Sequence, residues 1–229
     1  MKAIMTSRDN LLWLQCWRDR QTDFHQETVN HFLTRFWPSL APASGSRVFV
    51  PLCGKSLDMI WLAAQGHQVI GVELSPIAVR DFFRENGLRP TRRRFGKFIH
   101  WQHGRISILC GDYFALNQAD LGAIDTVYDR AALTALPEDI RRLYVAHLRE
   151  IVPDTSQVFL LTTEDAAENE TASEALGVGV EITSLYSADF EIDLAHVESV
   201  FELDPDAPER PPERAEYKVY RLSSRSALV

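Results

Sequence analysis

Three cysteines in 229 residues, with no Cys-x-x-Cys pair among them, are too few and too scattered for a disulfide framework or a structural zinc site. Cys16, Cys53 and Cys110 therefore suit a reducing compartment. No run of about 18 apolar residues occurs, so no helix is expected to cross a membrane. The first ten residues, Met1 to Asn10, lack the apolar core and small-residue cleavage pattern of a secretion signal. A soluble, cytoplasmic chain is expected. No internal repeat or low-complexity tract appears either. Apolar residues at 45% and charged residues at 24% are ordinary for a globular chain and exclude disorder throughout.

Basic residues are in short supply where a nucleic-acid binder would need them. The net charge is −8, and it is unevenly spread. Residues 1–115 carry 15 Lys and Arg against 9 Asp and Glu, whereas residues 116–229 carry 9 against 23. An acidic half repels phosphate, so no nucleic-acid partner is expected. One basic run, Arg89, Arg92, Arg93, Arg94 and Lys97, reads as a solvated loop.

What is present alternates. Leu11, Leu12, Leu14 and Cys16 to Trp17 supply the apolar side of a first helix. A second is expected from the capping-box pattern Asp23-Phe-His-Gln26 to about Trp37, where Pro38 stops it. Arg47 to Leu52 then reads as a short buried strand. Ser56 caps a helix ending at Gly66, and His67 to Glu73 is the next strand. Ser75-Pro76 gives an N-cap with proline at the first helical position. Further strands follow at Ile106 to Cys110, Ala123 to Tyr128 and Gln157 to Thr162, with a helix from Pro137 to about Ile151. Short apolar runs alternating with helices imply a parallel sheet covered on both faces. Two late strands, Phe190 to Ala195 and Tyr217 to Leu222, flank the proline-rich connection Pro205 to Pro212. The expected fold is one doubly wound, Rossmann-like α/β domain over residues 1–229, with residues 1–40 as a helical cap.

In such a sheet, ligands bind beyond the carboxyl ends of the strands. Pro51-Leu-Cys-Gly-Lys-Ser56 lies there and contains Gly-Lys-Ser. A phosphate loop needs a further glycine at position 49, which is Phe49, so that reading fails. Glu73 ends the second strand 19 residues after Gly54. An acid at that distance bonds ribose hydroxyls in nucleoside-binding α/β folds, since its two oxygens can accept both protons of a cis-diol. Asp112, after Gly111, is placed either to reach an adenine edge or to cap the next turn. Trp13 and Trp17 at i, i+4 spacing suit a packed core. His25, His100 and His103 suggest a metal or a general base, but the pair His100-x-x-His103 has no third ligand nearby, so no metal is expected, and an acidic heteroaryl thiol or selenol would need little or no base.

These residues resemble the thiopurine S-methyltransferases, S-adenosylmethionine-dependent enzymes with a seven-stranded, mostly parallel sheet. The resemblance rests on Trp13-x-x-x-Trp17, Phe24-His25-Gln26, Val50-Pro-Leu-Cys-Gly-Lys-Ser56, Gly71-Val-Glu-Leu-Ser75, Phe82-Phe83 and Tyr128-Asp-Arg-Ala-Ala-Leu133. It runs from Trp13 to about Ile151, and Tyr186 to Ile192 extends it more loosely. It implies that Trp17, Leu52, Glu73 and Arg130 bind the cofactor S-adenosylmethionine. Trp17 would close over the methionine end, where aromatic faces favour a sulfonium. It also implies methyl transfer to a small thiol, selenol or tellurium nucleophile. A monomer is expected, since nothing in the sequence suggests an obligate oligomer. Arg130 would face an anionic acceptor, unless an ion pair with Asp129 or Asp125 holds it in the loop instead.

Two other readings remain open: a non-catalytic methyltransferase-like binding module, and a methyltransferase for a natural-product thiol. The chain also departs from the family after the fifth strand. Where Gly-Pro-Pro-Phe is expected, it has Ala172-Ser-Glu-Ala175, and Glu164, Asp165, Glu168 and Glu170 gather nearby. Without the prolines and the ring, the loop should be more mobile and should offer no stacking surface. The acids should disfavour anions, so poor thiopurine turnover is expected, with smaller or less anionic nucleophiles preferred.

Overall fold

A computed structural model describes residues 7–22, 24–165, 178–202 and 213–225. Its strands are β1 (Arg47–Val50), β2 (Gln68–Glu73), β3 (Thr91–Phe95), β4 (Phe98–His103), β5 (Ile106–Cys110), β6 (Thr126–Arg130), β7 (Gln157–Asp165), β8 (Phe190–Glu202) and β9 (Glu213–Ser224). They form one sheet in the order β3-β4-β5-β2-β1-β6-β7-β9-β8. The run from β5 to β7 is parallel, and only β4 and β9 point the other way. The helices are α1 (Ser7–Asp19), α2 (His31–Phe36), α3 (Asp58–Ala64), α4 (Pro76–Glu85), α5 (Gln118–Leu121), α6 (Glu138–Ile151) and α7 (Val180–Tyr186).

Both faces of the sheet are covered, as the apolar runs require. Side chains alternate along β1, so Val48 and Val50 join one core with Met59, Leu62, Val79 and Phe82 of α3 and α4. Phe49 points the other way and packs with Ile140, Tyr144, Leu148 and Ile182 of α6 and α7. The short strands therefore sit between two apolar layers, and helix-forming segments return the chain across alternate faces.

All seven strands read from the sequence are present, and the sheet carries two more. The basic run is not a solvated loop. Thr91–Phe95 pairs antiparallel with Phe98–His103, and β4 pairs in turn with β5. Arginines conceal the strand from a hydrophobic reading because it lies at the sheet edge, where charge discourages further pairing. Arg92 nonetheless lies 4.9 Å from the centre of the buried Trp101 ring, so its stem and charge are both used.

The start of the chain also differs from expectation. The second helix begins at Asn30, whose Oδ1 accepts from the Phe32 N–H at 2.9 Å and the Leu33 N–H at 3.3 Å. Asp23, the first residue of the expected capping box, lies outside the described residues. The end of this helix agrees with expectation: the α-helix stops at Phe36, and Pro38 sits in the separate 3₁₀ turn that follows, Trp37–Leu40. In α1, Leu11 and Leu12 are exposed at 63% and 59%, and Trp17 is the buried residue. The expected apolar side was thus rotated from the true one. The segments 166–177 and 203–212, with the Ala172-Ser-Glu-Ala175 departure and the proline-rich connection, lie outside the described residues.

Candidate functional site

The carboxyl ends of β1, β2 and β6 open into a cavity of about 1030 Å³ counting its mouth, roofed by α1 and the turn that follows it. Its wall includes all four residues that the resemblance assigned: Trp17, Leu52, Glu73 and Arg130. Asp112, Trp13 and His25 join them, whereas His100 and His103 lie on β4 at the far edge.

The turn from β1 to α3 is wound tightly. Leu52 and Gly54 have φ of 45° and 52°, so two residues two positions apart adopt the left-handed form. A leucine held there stores strain, which is common where a backbone faces a ligand. The Cys53 N–H donates to the Val72 carbonyl at 2.9 Å and ties the turn to β2. Gly71 makes that docking possible, since a Cβ there would stand 2.6 Å from the Cys53 Sγ. Burial pushes the Cys53 thiol well above its ordinary pKa, with the Glu73 charge adding to the effect. Cys53 is therefore a neutral, poor nucleophile despite lining the cavity.

Glu73 stands at the end of β2 and joins two turns. Its Oε2 accepts from the Gly54 N–H at 2.9 Å, and its Oε1 accepts from the Ser75 N–H at 2.6 Å. Ser75 separately caps α4 through the Ala78 N–H at 3.3 Å. Each Glu73 oxygen keeps a second lone pair for a hydroxyl donor. Burial outweighs the Ser75, Gly54 and Leu74 amides and pushes the Glu73 carboxyl up to about 7. A group that receives hydroxyl bonds and a nearby positive charge would recover much of that cost.

Above the turn, Trp13 and Trp17 each meet Phe24 edge-on, with ring centres 5.5 Å apart in both pairs. The Trp17 ring also lies against Gly54, where a Cβ would be 3.2 Å from it. The two tryptophans are therefore neither a remote core pair nor alternatives to each other. They frame one apolar, electron-rich roof.

Arg130 ends β6, and its partner is neither Asp129 nor Asp125. Its Nε donates to Asp58 Oδ2 at 2.7 Å, and one terminal nitrogen donates to Ser56 Oγ at 3.0 Å. Asp125 instead accepts from the Arg47 N–H. Asp129 accepts from the Tyr144 hydroxyl and the Ala132 and Leu133 N–H groups, and burial pushes its carboxyl up to about 6. That bonding shapes the turn in which Ala131, at φ 61°, enters the cavity wall.

Asp58 is the residue that sequence reasoning missed. It is 1% exposed and also accepts from the Tyr128 hydroxyl and the Asn30 N–H, both at 2.8 Å. One carboxylate thus joins the start of α2, the start of α3 and the end of β6. The available signal was an acid on the same helical face as Leu62, four residues on, where an apolar residue is the norm. Asp112 turns out to serve as a cap, accepting from the Phe114 N–H at 3.0 Å, while also lining the cavity.

Glu164 does not act as a free anion beside this cavity. Its carboxylate takes Lys218 at 3.1 Å and the Tyr220 and Thr162 hydroxyls at 2.7 Å each. Lys218 also meets Glu216 at 3.2 Å, so one cation serves two carboxylates and a net negative charge stays at this end of β7. Glu168 and Glu170 lie outside the described residues, as do Ala172 and Ala175.

The family model described as Thiopurine S-methyltransferase (TPMT) matches residues 8–225. A protein named Thiopurine S-methyltransferase from Stutzerimonas stutzeri (strain A1501) is 65% identical over 221 residues, covering 96% of this chain and 93% of its own. Another of that name, from Nitrosospira multiformis, is 42% identical and covers 94% and 98%. Among solved structures, a SAM-dependent methyltransferase from Anabaena variabilis superposes with a TM-score of 0.61 at 17% identity, over 98% of both chains. A 1,6-didemethyltoxoflavin-N1-methyltransferase from Burkholderia thailandensis, solved with S-adenosylhomocysteine, gives 0.58 at 14% identity, over 93% and 87%. These two likenesses speak for the fold, an α/β methyltransferase sheet.

Proposed function

Because this chain belongs to the thiopurine S-methyltransferase family, we propose that its cavity holds S-adenosylmethionine through Trp17, Leu52, Glu73 and Arg130 beside a small thiol or selenol acceptor. The observation that carries this reading is the meeting of Glu73, the aromatic roof and Arg130 in one cavity. The bound cofactor supplies a methyl group on a sulfonium, an electrophile that needs no metal.

Everything else falls to the chain. Glu73 offers two oxygens, fixed by the Gly54 and Ser75 amides, to a cis-diol. Leu52 turns its backbone and apolar side chain to the cavity, and Trp13, Phe24 and Trp17 favour a cation by roughly 0.5–2 kcal/mol while excluding water. Residues 1–40 act as the cap of a single domain. Arg130, fixed by Asp58 and Ser56, keeps a permanent positive charge at the acceptor end. Alignment of an acceptor sulfur with the methyl group is then the main catalytic demand.

The names of the 65% and 42% identical relatives support a thiopurine-type heteroaryl thiol among the acceptors. The departure at residues 172–175 supports better use of small neutral acceptors. Calorimetry with S-adenosylmethionine comes first, and absence of binding at high micromolar cofactor would leave the binding-module reading in its place. Methyl transfer is then measured on 6-mercaptopurine, small neutral thiols and selenols. Higher kcat/KM for the neutral group is expected. A clear preference for 6-mercaptopurine would overturn the reading of the loop, and no transfer to any acceptor would overturn the enzyme assignment.

A further inference from the structure

His25 lines the cavity beside Trp17, Phe24, Lys55 and Arg130, on the turn between α1 and α2. Its backbone N–H donates to the Thr22 carbonyl at 2.8 Å, which fixes the turn and leaves the ring to the cavity. Among the described residues, neither ring nitrogen of His25 has a hydrogen-bond partner. The other imidazoles near the cores are committed. His67 is bonded to Trp37 and Ser46, and His147 contacts the Tyr113 carbonyl. The edge-strand pair is committed as well, His100 to Arg93 and His103 to the Arg89 carbonyl.

We propose that His25 is the general base that takes the proton from the acceptor thiol, a role that rests on the thiol-acceptor reading above. Its surroundings suit the task. Burial lowers its pKa from the ordinary value, the charges of Lys55 and Arg130 lower it further, and Glu85 and Glu27 oppose them. The ring is therefore neutral and able to accept at neutral pH. Lys55 is in turn paired with Glu85 at 2.8 Å. The cations that keep the imidazole neutral also favour the thiolate formed next to it. Among the described residues, Glu73 and Asp112, on other parts of the wall, are the remaining acids that face the cavity.

The balance is simple. The acceptor S–H bond breaks, its proton goes to the free ring nitrogen, and the electron pair stays on sulfur. That pair forms the new sulfur–carbon bond as the methyl carbon leaves the sulfonium, whose sulfur keeps the old bonding pair and becomes a neutral thioether. His25 is only half-buried, so it returns the proton to solvent.

A base matters only where the acceptor is not already ionised. An aliphatic thiol with a pKa of about 8.5 is a few per cent thiolate at pH 7, whereas an acidic selenol is nearly all anion. The test uses His25→Asn, with His25→Gln in parallel should the first variant fold poorly, and acceptors graded by pKa. Cofactor affinity by calorimetry is expected to stay within about threefold of wild type, which establishes an intact cavity. With aliphatic thiols, kcat/KM should fall by about a hundredfold or more, and with acidic selenols by less than about threefold. Added imidazole should restore part of the loss. A second readout is the pH profile at saturating cofactor. With aliphatic thiols the wild-type rate should fall at acid pH as the imidazole protonates, and the variants should lose that acid limb. Equal losses across the pKa series, or an acid limb unchanged in the variants, would overturn His25 as base and leave the thiol reading standing. Failure of the wild type to methylate any member of the series would overturn the thiol reading, and His25 with it.

Discussion

Glu73 ties cofactor affinity to pH. Its carboxyl is buried and titrates near 7, well above an ordinary glutamate. Keeping it ionised at this buried position costs roughly 3 kcal/mol relative to water. The folded protein therefore holds a proton that the unfolded chain has lost, and this group's contribution to stability declines as pH rises from about 4.5 to about 7. A ligand that donates two hydroxyls to the carboxylate and brings a positive charge selects the anion. Affinity for S-adenosylmethionine should then rise with pH, falling about tenfold from pH 8 to pH 6 and approaching tenfold per unit below that. About half a proton should leave the protein for each cofactor bound at pH 7. Calorimetry in two buffers of different ionisation enthalpy measures both quantities. Glu73→Gln should bind more weakly at pH 8 by roughly 1.5–3 kcal/mol and should lose most of the pH dependence. It also serves as the control for His25, whose protonation at low pH adds its own repulsion of a sulfonium. Parallel pH curves for the two proteins, or no proton release, would refute the assignment of Glu73 to the cofactor.

Two further outcomes follow from the geometry. Asp58→Ala removes the buried partner of Arg130 and the acceptor for Tyr128 and the Asn30 N–H, so urea unfolding should show a loss of about 3 kcal/mol or more; a loss below about 1 kcal/mol would mean that the joint is not structural. Gly54→Ala places a Cβ 3.2 Å from the Trp17 ring at a φ of 52°, and should cost about 1–2 kcal/mol, change tryptophan fluorescence and weaken cofactor binding severalfold. Wild-type values for all three would show that the turn is looser than its geometry states.

The sequence made the central sheet legible because its strands are short apolar runs bounded by turn residues, and because Ser75-Pro76 announces a helix start. What escaped reading depended on partners far along the chain. The arginines of β3 make sense only beside Trp101 and the sheet edge. The start of α2 moved to Asn30 because that residue can bond both its own helix and Asp58, 28 positions later. Of the cavity, Glu73 was legible from its spacing to Gly54 alone, whereas Trp17, Leu52 and Arg130 were reached through the family. Asp58 and the pairing of Glu164 with Lys218 were not, since a carboxylate in sequence carries no sign of which cation will meet it.

The roof of the cavity is translated ahead of the surface that seats it. Trp17 rests on Gly54, and the Asn30 N–H needs an Asp58 that is itself held by Tyr128 and Arg130. When residues 7–36 leave the ribosome, the surface that will seat them has yet to be translated, and the last piece of it arrives with β6. For about a hundred residues of elongation the nascent chain carries Trp13 and Trp17 uncovered, next to Leu11 and Leu12, which stay exposed even at the end. A helix that waits this long without a partner is the natural place for a chaperone to hold the growing chain, and a nascent chain stopped before Arg130 would keep that apolar surface on display.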